Sequence, residues 1–164
     1  MKNKRGQQVF GMPFSVIFSI ILIAVFIAVA FYFIGIFMDW WGCADSGQFI
    51  DDFQLEVDNA WKSQSSDKIF SGSLSSGIEY VCFADLSQSS SGNSIEREIY
   101  QELKKNADYT ANLFFYPAKE ACIKSTFIEH IKFSGNPYCI PVNGRVEIKL
   151  EKRFDENLVN VARK

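Results

Sequence analysis

The chain has 164 residues, enough for one domain and an appendage and too few for a two-domain enzyme built around an interdomain cleft. Its 17 Lys and Arg and 19 Asp and Glu nearly balance, but unevenly along the sequence. Every acidic residue lies at or beyond Asp39. Beyond the leading cations Lys2, Lys4 and Arg5, 14 basic residues face 19 acidic ones, a formal charge of −5 that makes nucleic acid a poor partner.

From Gln7 to Met38 there is no charged residue and no histidine. The stretch Val9 to Met38 is apolar on every side, whereas a helix packed on a soluble core would keep a polar face. As helix, its roughly 30 residues would reach about 45 Å, against ~30 Å of bilayer hydrocarbon. Pro13 falls near the start, where a helix tolerates it, and Gly35 near the end. Lys4 and Arg5 flank one end, while Trp40 and Trp41 stand at the other, where amphipathic rings favour headgroups. The positive-inside bias therefore predicts residues 1–8 as a cytoplasmic leader, 9–38 as a transmembrane helix and 39–164 as an extracellular domain. A secretory signal cut after Ala30 is the competing reading, but it would leave Phe31 to Met38 as a bare apolar N-terminus.

The opening Lys4-Arg5-Gly6-Gln7, a short cationic leader ending in Gly before a long apolar helix, resembles the leader of archaeal type IV pilin-like proteins. The resemblance covers about 35 residues. It implies cleavage between Gly6 and Gln7 and packing of the exposed helix with its copies in a filament core. It also implies a first helix longer than a membrane span. Many pilins carry glutamate at the fifth mature position, where this chain has Gly11. The remainder of the chain resembles small archaeal envelope proteins with such leaders, without matching the pilin family.

After the anchor, Ser46 reads as the cap of an amphipathic helix over 47–63, with Phe49, Ile50, Phe53, Val57, Ala60 and Trp61 on its apolar side. Lys68 to Leu74 and Ile78 to Ala84 read as a hairpin, with Ile78, Tyr80, Cys82 and Ala84 on one face. A Ser/Gly-rich loop over 87–93 comes next. Asn93 and Glu96 then form a capping-box variant for a second helix ending near Asn106, with Ile95, Ile99, Tyr100 and Leu103 as its stripe. Asn112 to Tyr116 reads as a strand, as does Thr126 to Phe133. An Asn143-Gly144 turn introduces the alternating strand Val146, Ile148, Leu150, and Leu158, Val159 and Val161 return antiparallel to it. The expected fold is α+β: a long N-terminal transmembrane helix, then a small disulfide-bearing domain with a mainly antiparallel sheet and two amphipathic helices.

Cys43, Cys82, Cys122 and Cys139 are even in number and lie on the predicted exterior side, so disulfides are expected. Three connectivities are open, and the one preferred from the sequence joins Cys43 to Cys82 and Cys122 to Cys139. No Cys-x-x-Cys pair occurs and His130 is the only imidazole, which argues against zinc. His130 reads as an ordinary strand histidine, and Asp51 and Asp52 as solvated rather than paired for acid–base work. No phosphate loop, nucleophile elbow or glycosylation acceptor is found. The expectation is a non-catalytic, single-pass envelope protein with no cofactor. Its partners are the lipid bilayer and, through the apolar helix, copies of itself or other envelope proteins.

Overall fold

In a computed structural model the structure describes residues 11–105 and 108–164, the side chains at 11–14 and 37–43 excepted. Two compact units divide the chain, Met1–Trp40 and Trp41–Lys164. Helix α1, Gly11–Lys62, contributes residues to both.

In the first unit the helix is built almost wholly of Ile, Leu, Val, Phe and Ala, and every side chain described there is exposed. Ser19 Oγ donates to the carbonyl of Ser15 at 2.9 Å, so this hydroxyl is satisfied within the helix itself.

In the second unit, α1 supplies Phe49, Phe53, Val57 and Ala60, all nearly fully buried and spaced by four, four and three residues. Ser46, expected as a cap, lies inside α1 and is buried. No break is needed there because the sequence on both sides of it is helix-compatible. Two four-stranded sheets share a core with this stripe. Sheet A runs β1 (Ser66–Ser73), β7 (Arg145–Lys152), β8 (Val159–Arg163), β5 (Ile131–Phe133), and is antiparallel except where β5 meets β8. Sheet B runs β4 (Ser125–Thr126), β3 (Leu113–Tyr116), β2 (Tyr80–Phe83), β6 (Tyr138–Pro141), antiparallel throughout. The expected α+β class with mainly antiparallel sheets stands.

Aromatic rings close the main core. Phe70 of β1 lies 5.4 Å from Phe49 and 5.2 Å from Phe53, ring centre to ring centre, in edge-on geometry. Gly72 is required beside them, because a Cβ at that position would overlap the Phe49 ring. Burying each of these phenyl groups stabilises by about 2–3 kcal/mol relative to exposure. A second core lies on the other face of sheet B, where Cys82, Ala84, Phe114 and Cys139 meet Ile99, Tyr100 and Leu103 of helix α2 (Ser94–Lys105). The capping box of α2 forms as expected: the Glu96 N–H donates to Asn93 Oδ1, and the Asn93 N–H to Glu96 Oε2, both at 2.9 Å. Ile95, placed on the stripe, is instead exposed.

Three local expectations are corrected. β1 and β2 form no hairpin: β1 pairs with β7, and β2 sits between β3 and β6. Both faces of β2 are covered, which uses its Val81 and Phe83 on one side and Cys82 on the other. Ile78 accordingly joins the main core, apart from Tyr80, Cys82 and Ala84. The segment Thr126 to Phe133 is not one strand, since β4 ends at Thr126 in sheet B and β5 starts at Ile131 in sheet A. Between them His130 adopts φ +62°, a left-handed conformation that no strand accommodates. The return of β8 on β7 holds, with Leu150 opposite Val161 and Glu151 opposite Asn160.

Candidate functional site

The feature with the least internal explanation is the stretch Ser15–Ile36, 22 residues of α1 long and apolar enough to cross a membrane. At ~1.5 Å per residue it is about 33 Å long, close to the thickness of bilayer hydrocarbon. Phe26, Phe31 and Tyr32 are each 68–70% exposed. In proteins generally, contiguous exposed apolar surfaces of this extent are where lipid or protein is contacted. The leader residues Lys4, Arg5, Gly6 and Gln7 lie outside the described residues. Trp40, Trp41 and Cys43 are helical positions whose side chains also lie outside them.

In the unit Trp41–Lys164, β2 and β6 place Cys82 directly opposite Cys139, and the two form a buried disulfide. This overturns both bonds of the preferred connectivity, Cys43–Cys82 and Cys122–Cys139. The sequence could not reveal it, because the pairing depends on two strands 57 residues apart entering one sheet in this register. Cys122 is disulfide-bonded as well.

The second feature is the setting of the lone imidazole. Gln54, Asp58 and Trp61 recur at helical spacing on α1, and the turn before β5 docks on them. The Glu129 N–H donates to Gln54 Oε1 at 2.9 Å, the Trp61 indole N–H to the Asn157 carbonyl at 3.1 Å, and the Val159 N–H to the His130 carbonyl at 2.8 Å. The His130 ring stacks on Trp61 with centroids 3.7 Å apart. Its Nδ1 is shielded from solvent, makes no hydrogen bond, and lies 3.5 Å from Asp58 Oδ1, an atom that already accepts from Gln54 Nε2 at 2.8 Å. The contact is an ion pair only when the ring is protonated. These groups tie the end of α1 to the turn and hold His130 in its left-handed conformation.

No family model, curated protein or solved structure matches this chain.

Other polar groups serve the fold. Asp51 and Asp52 are exposed; Asp52 joins Asp45 and Gln48 at a polar cleft of about 280 Å³ along β1. Among the described residues no group of three His, Cys, Asp or Glu side chains is arranged to hold a metal ion. Asp85 accepts from the Ser87 hydroxyl at 2.6 Å and backbone N–H at 2.9 Å, which holds its carboxyl below the usual carboxylate range. Burial, and then Glu102 beside it, pushes the Tyr116 phenol up. Lys152 Nζ caps the end of α1 by donating to the carbonyls of Trp61 and Ser63.

Proposed function

We propose that the protein is a single-pass membrane-anchored component of the cell envelope, non-catalytic, with residues 1–8 cytoplasmic and 39–164 an extracellular interaction domain. The observation that carries this reading is the exposed apolar stretch Ser15–Ile36, whose length fits one bilayer crossing. A helix whose backbone bonds close internally is one of the two backbone arrangements that hydrocarbon tolerates. The cations at Lys4 and Arg5 and the Cys82–Cys139 disulfide, a bond that persists in oxidising compartments, support this orientation. The imidazole and the carboxylates singled out above serve structural contacts or lie in solvent, which supports an interaction domain over an enzyme.

A second reading makes the chain a pilin-like subunit, cleaved after Gly6 and assembled through its apolar helix into a filament or pseudopilus. It is favoured by the leader and by the extent of α1, Gly11–Lys62, well beyond the membrane-length stretch.

Cell fractionation with mass spectrometry of the N-terminus tests both. The anchored reading expects a chain that resists an alkaline wash of the membranes, retains the leader, and loses its domain when protease is added to intact cells. Release by the wash, or a mature N-terminus at Phe31, overturns it. A mature N-terminus at Gln7 transfers the assignment to the pilin-like subunit.

A further inference from the structure

Nine asparagines lie along the chain and differ in the residue on their C-terminal side, and the carboxamides of Asn93, Asn112 and Asn136 are held by hydrogen bonds. Asn93 caps α2. Asn112 donates to the Ile128 carbonyl and accepts from its N–H, both at 2.8 Å. Asn136 is held by the Asp85 backbone and precedes Pro137, which has no N–H. Asn143 alone precedes a glycine.

Both Asn143 and Gly144 are exposed. Among the described residues no hydrogen bond holds the Asn143 carboxamide or the Gly144 N–H. Gly144 has φ +74°, and nothing lies within 4 Å of the place its Cβ would occupy. The Asn143 N–H donates to the Arg145 carbonyl at 3.3 Å, which folds the chain tightly around the glycine. A free amide nitrogen therefore stands one residue from a free carboxamide carbon, with no side chain crowding the approach.

We propose that Asn143 is a site of spontaneous covalent modification, converting to aspartyl and isoaspartyl forms in the folded protein. The Gly144 nitrogen, having given its proton to hydroxide, attacks Asn143 Cγ. The N–Cγ bond forms, the Cγ–Nδ2 bond breaks, and the amide leaves as ammonia after taking a proton from water. Water then opens the cyclic imide at either carbonyl. One water is consumed and one ammonia released, with no oxidant or cofactor.

The surroundings favour the reaction and give it a consequence. Asn143 lines an open cleft of about 420 Å³ with Arg145, Arg163, Lys164 and Glu147. The excess of positive charge in this lining favours the anion formed at Gly144 and the carboxylate of the product. Lys164 and Glu147 already pair at 2.9 Å, so the new charge falls to Arg145 and Arg163. Arg163 Nη2 donates to the Cys139 carbonyl, which links this cleft to the strand carrying the disulfide. The isoaspartyl product also lengthens the backbone where the chain passes from sheet B to sheet A.

The full chain, held in detergent micelles near neutral and at mildly alkaline pH and digested after increasing times, provides the test. The peptide carrying Asn143 gains the mass of an amide-to-acid exchange and splits into two chromatographic forms. The unhindered Gly144 nitrogen and the unheld carboxamide make its rate more than about tenfold that of the other asparagines, and the rate rises with pH. Asn143→Gln, which leaves the backbone conformation open to it, abolishes the change at this peptide, and Gly144→Ala slows it. Persistence of the amide in the folded chain, while the denatured chain converts, overturns the proposal. So does conversion of other asparagines at the same rate.

Discussion

Asp85 lies just past the end of β2 and is held from two directions. Asn136 fixes its backbone, Oδ1 accepting from the Asp85 N–H at 2.9 Å and Nδ2 donating to its carbonyl at 2.8 Å, and the Ser87 and Gln88 side chains donate to its carboxylate. Its folded pKa lies below the unfolded value of about 3.9. The folded state therefore binds fewer protons than the unfolded one in acid, so the contribution of Asp85 is complete above that unfolded value. It drains away as pH falls through the lower folded one. Thermal melting between neutral pH and strong acid should show wild type losing stability more steeply over that window than Asp85→Asn. Parallel curves would mean that the hydrogen bonds to the carboxylate do not favour its charged form. Asp108 and Glu156 are also held below the carboxylate range, by Thr110 and Lys132 first, so the difference between the two proteins isolates Asp85.

At the scale of elements, the disulfide joins β2, in the interior of sheet B, to its edge strand β6. Closing a loop of 57 residues is worth about 4 kcal/mol in the chain-entropy model. Replacing Cys82 and Cys139 by Ala together should lower the unfolding free energy by a comparable amount in denaturant titration. Peptide mapping without reduction should recover Cys82 linked to Cys139. A Cys82–Cys43 peptide would contradict the register of β2 and β6. Local sequence signals predicted the elements with local causes: the Asn93–Glu96 cap, the alternating β7, and the apolar spacing of α1 from Phe49 to Ala60. What escaped them was non-local. Ile69 and Phe70 read as half of a hairpin with Tyr80 to Phe83, yet their partners are Lys149 and Ile148 in β7. No periodicity in either segment encodes that choice, because it depends on which sheet offers a matching buried face. His130 escaped for the same reason. Its neighbours Ile128 and Ile131 suggest a strand, and only the docking of the turn on Trp61 and Asp58 explains its conformation.

At the scale of the whole molecule, the two units differ in what they ask of their surroundings. Both cores draw on residues from Phe49 onward, and the described side chains up to Ile36 are exposed and, apart from Ser15 and Ser19, almost wholly apolar. Both cores of the second unit are therefore built from its own described residues. Each Leu, Ile, Val or Phe of the first unit, if moved from water into hydrocarbon, would contribute about 1.5–3 kcal/mol to partitioning of the chain. This division sets two expectations for a chain beginning at Trp41. Its melting temperature should fall within a few degrees of that of the full chain in detergent, since no residue of either core is removed. It should also remain in the soluble fraction without detergent, while the full chain sediments with lipid vesicles. Retention of the shortened chain on vesicles would place the lipid contact in the second unit, where Phe154 is 81% exposed, and would overturn the assignment of the anchor to Ser15–Ile36. Loss of its melting transition would mean that the apolar unit supports the fold through its helix, because truncation at Trp41 also removes the first turns of α1 and leaves a new N-terminus to be capped.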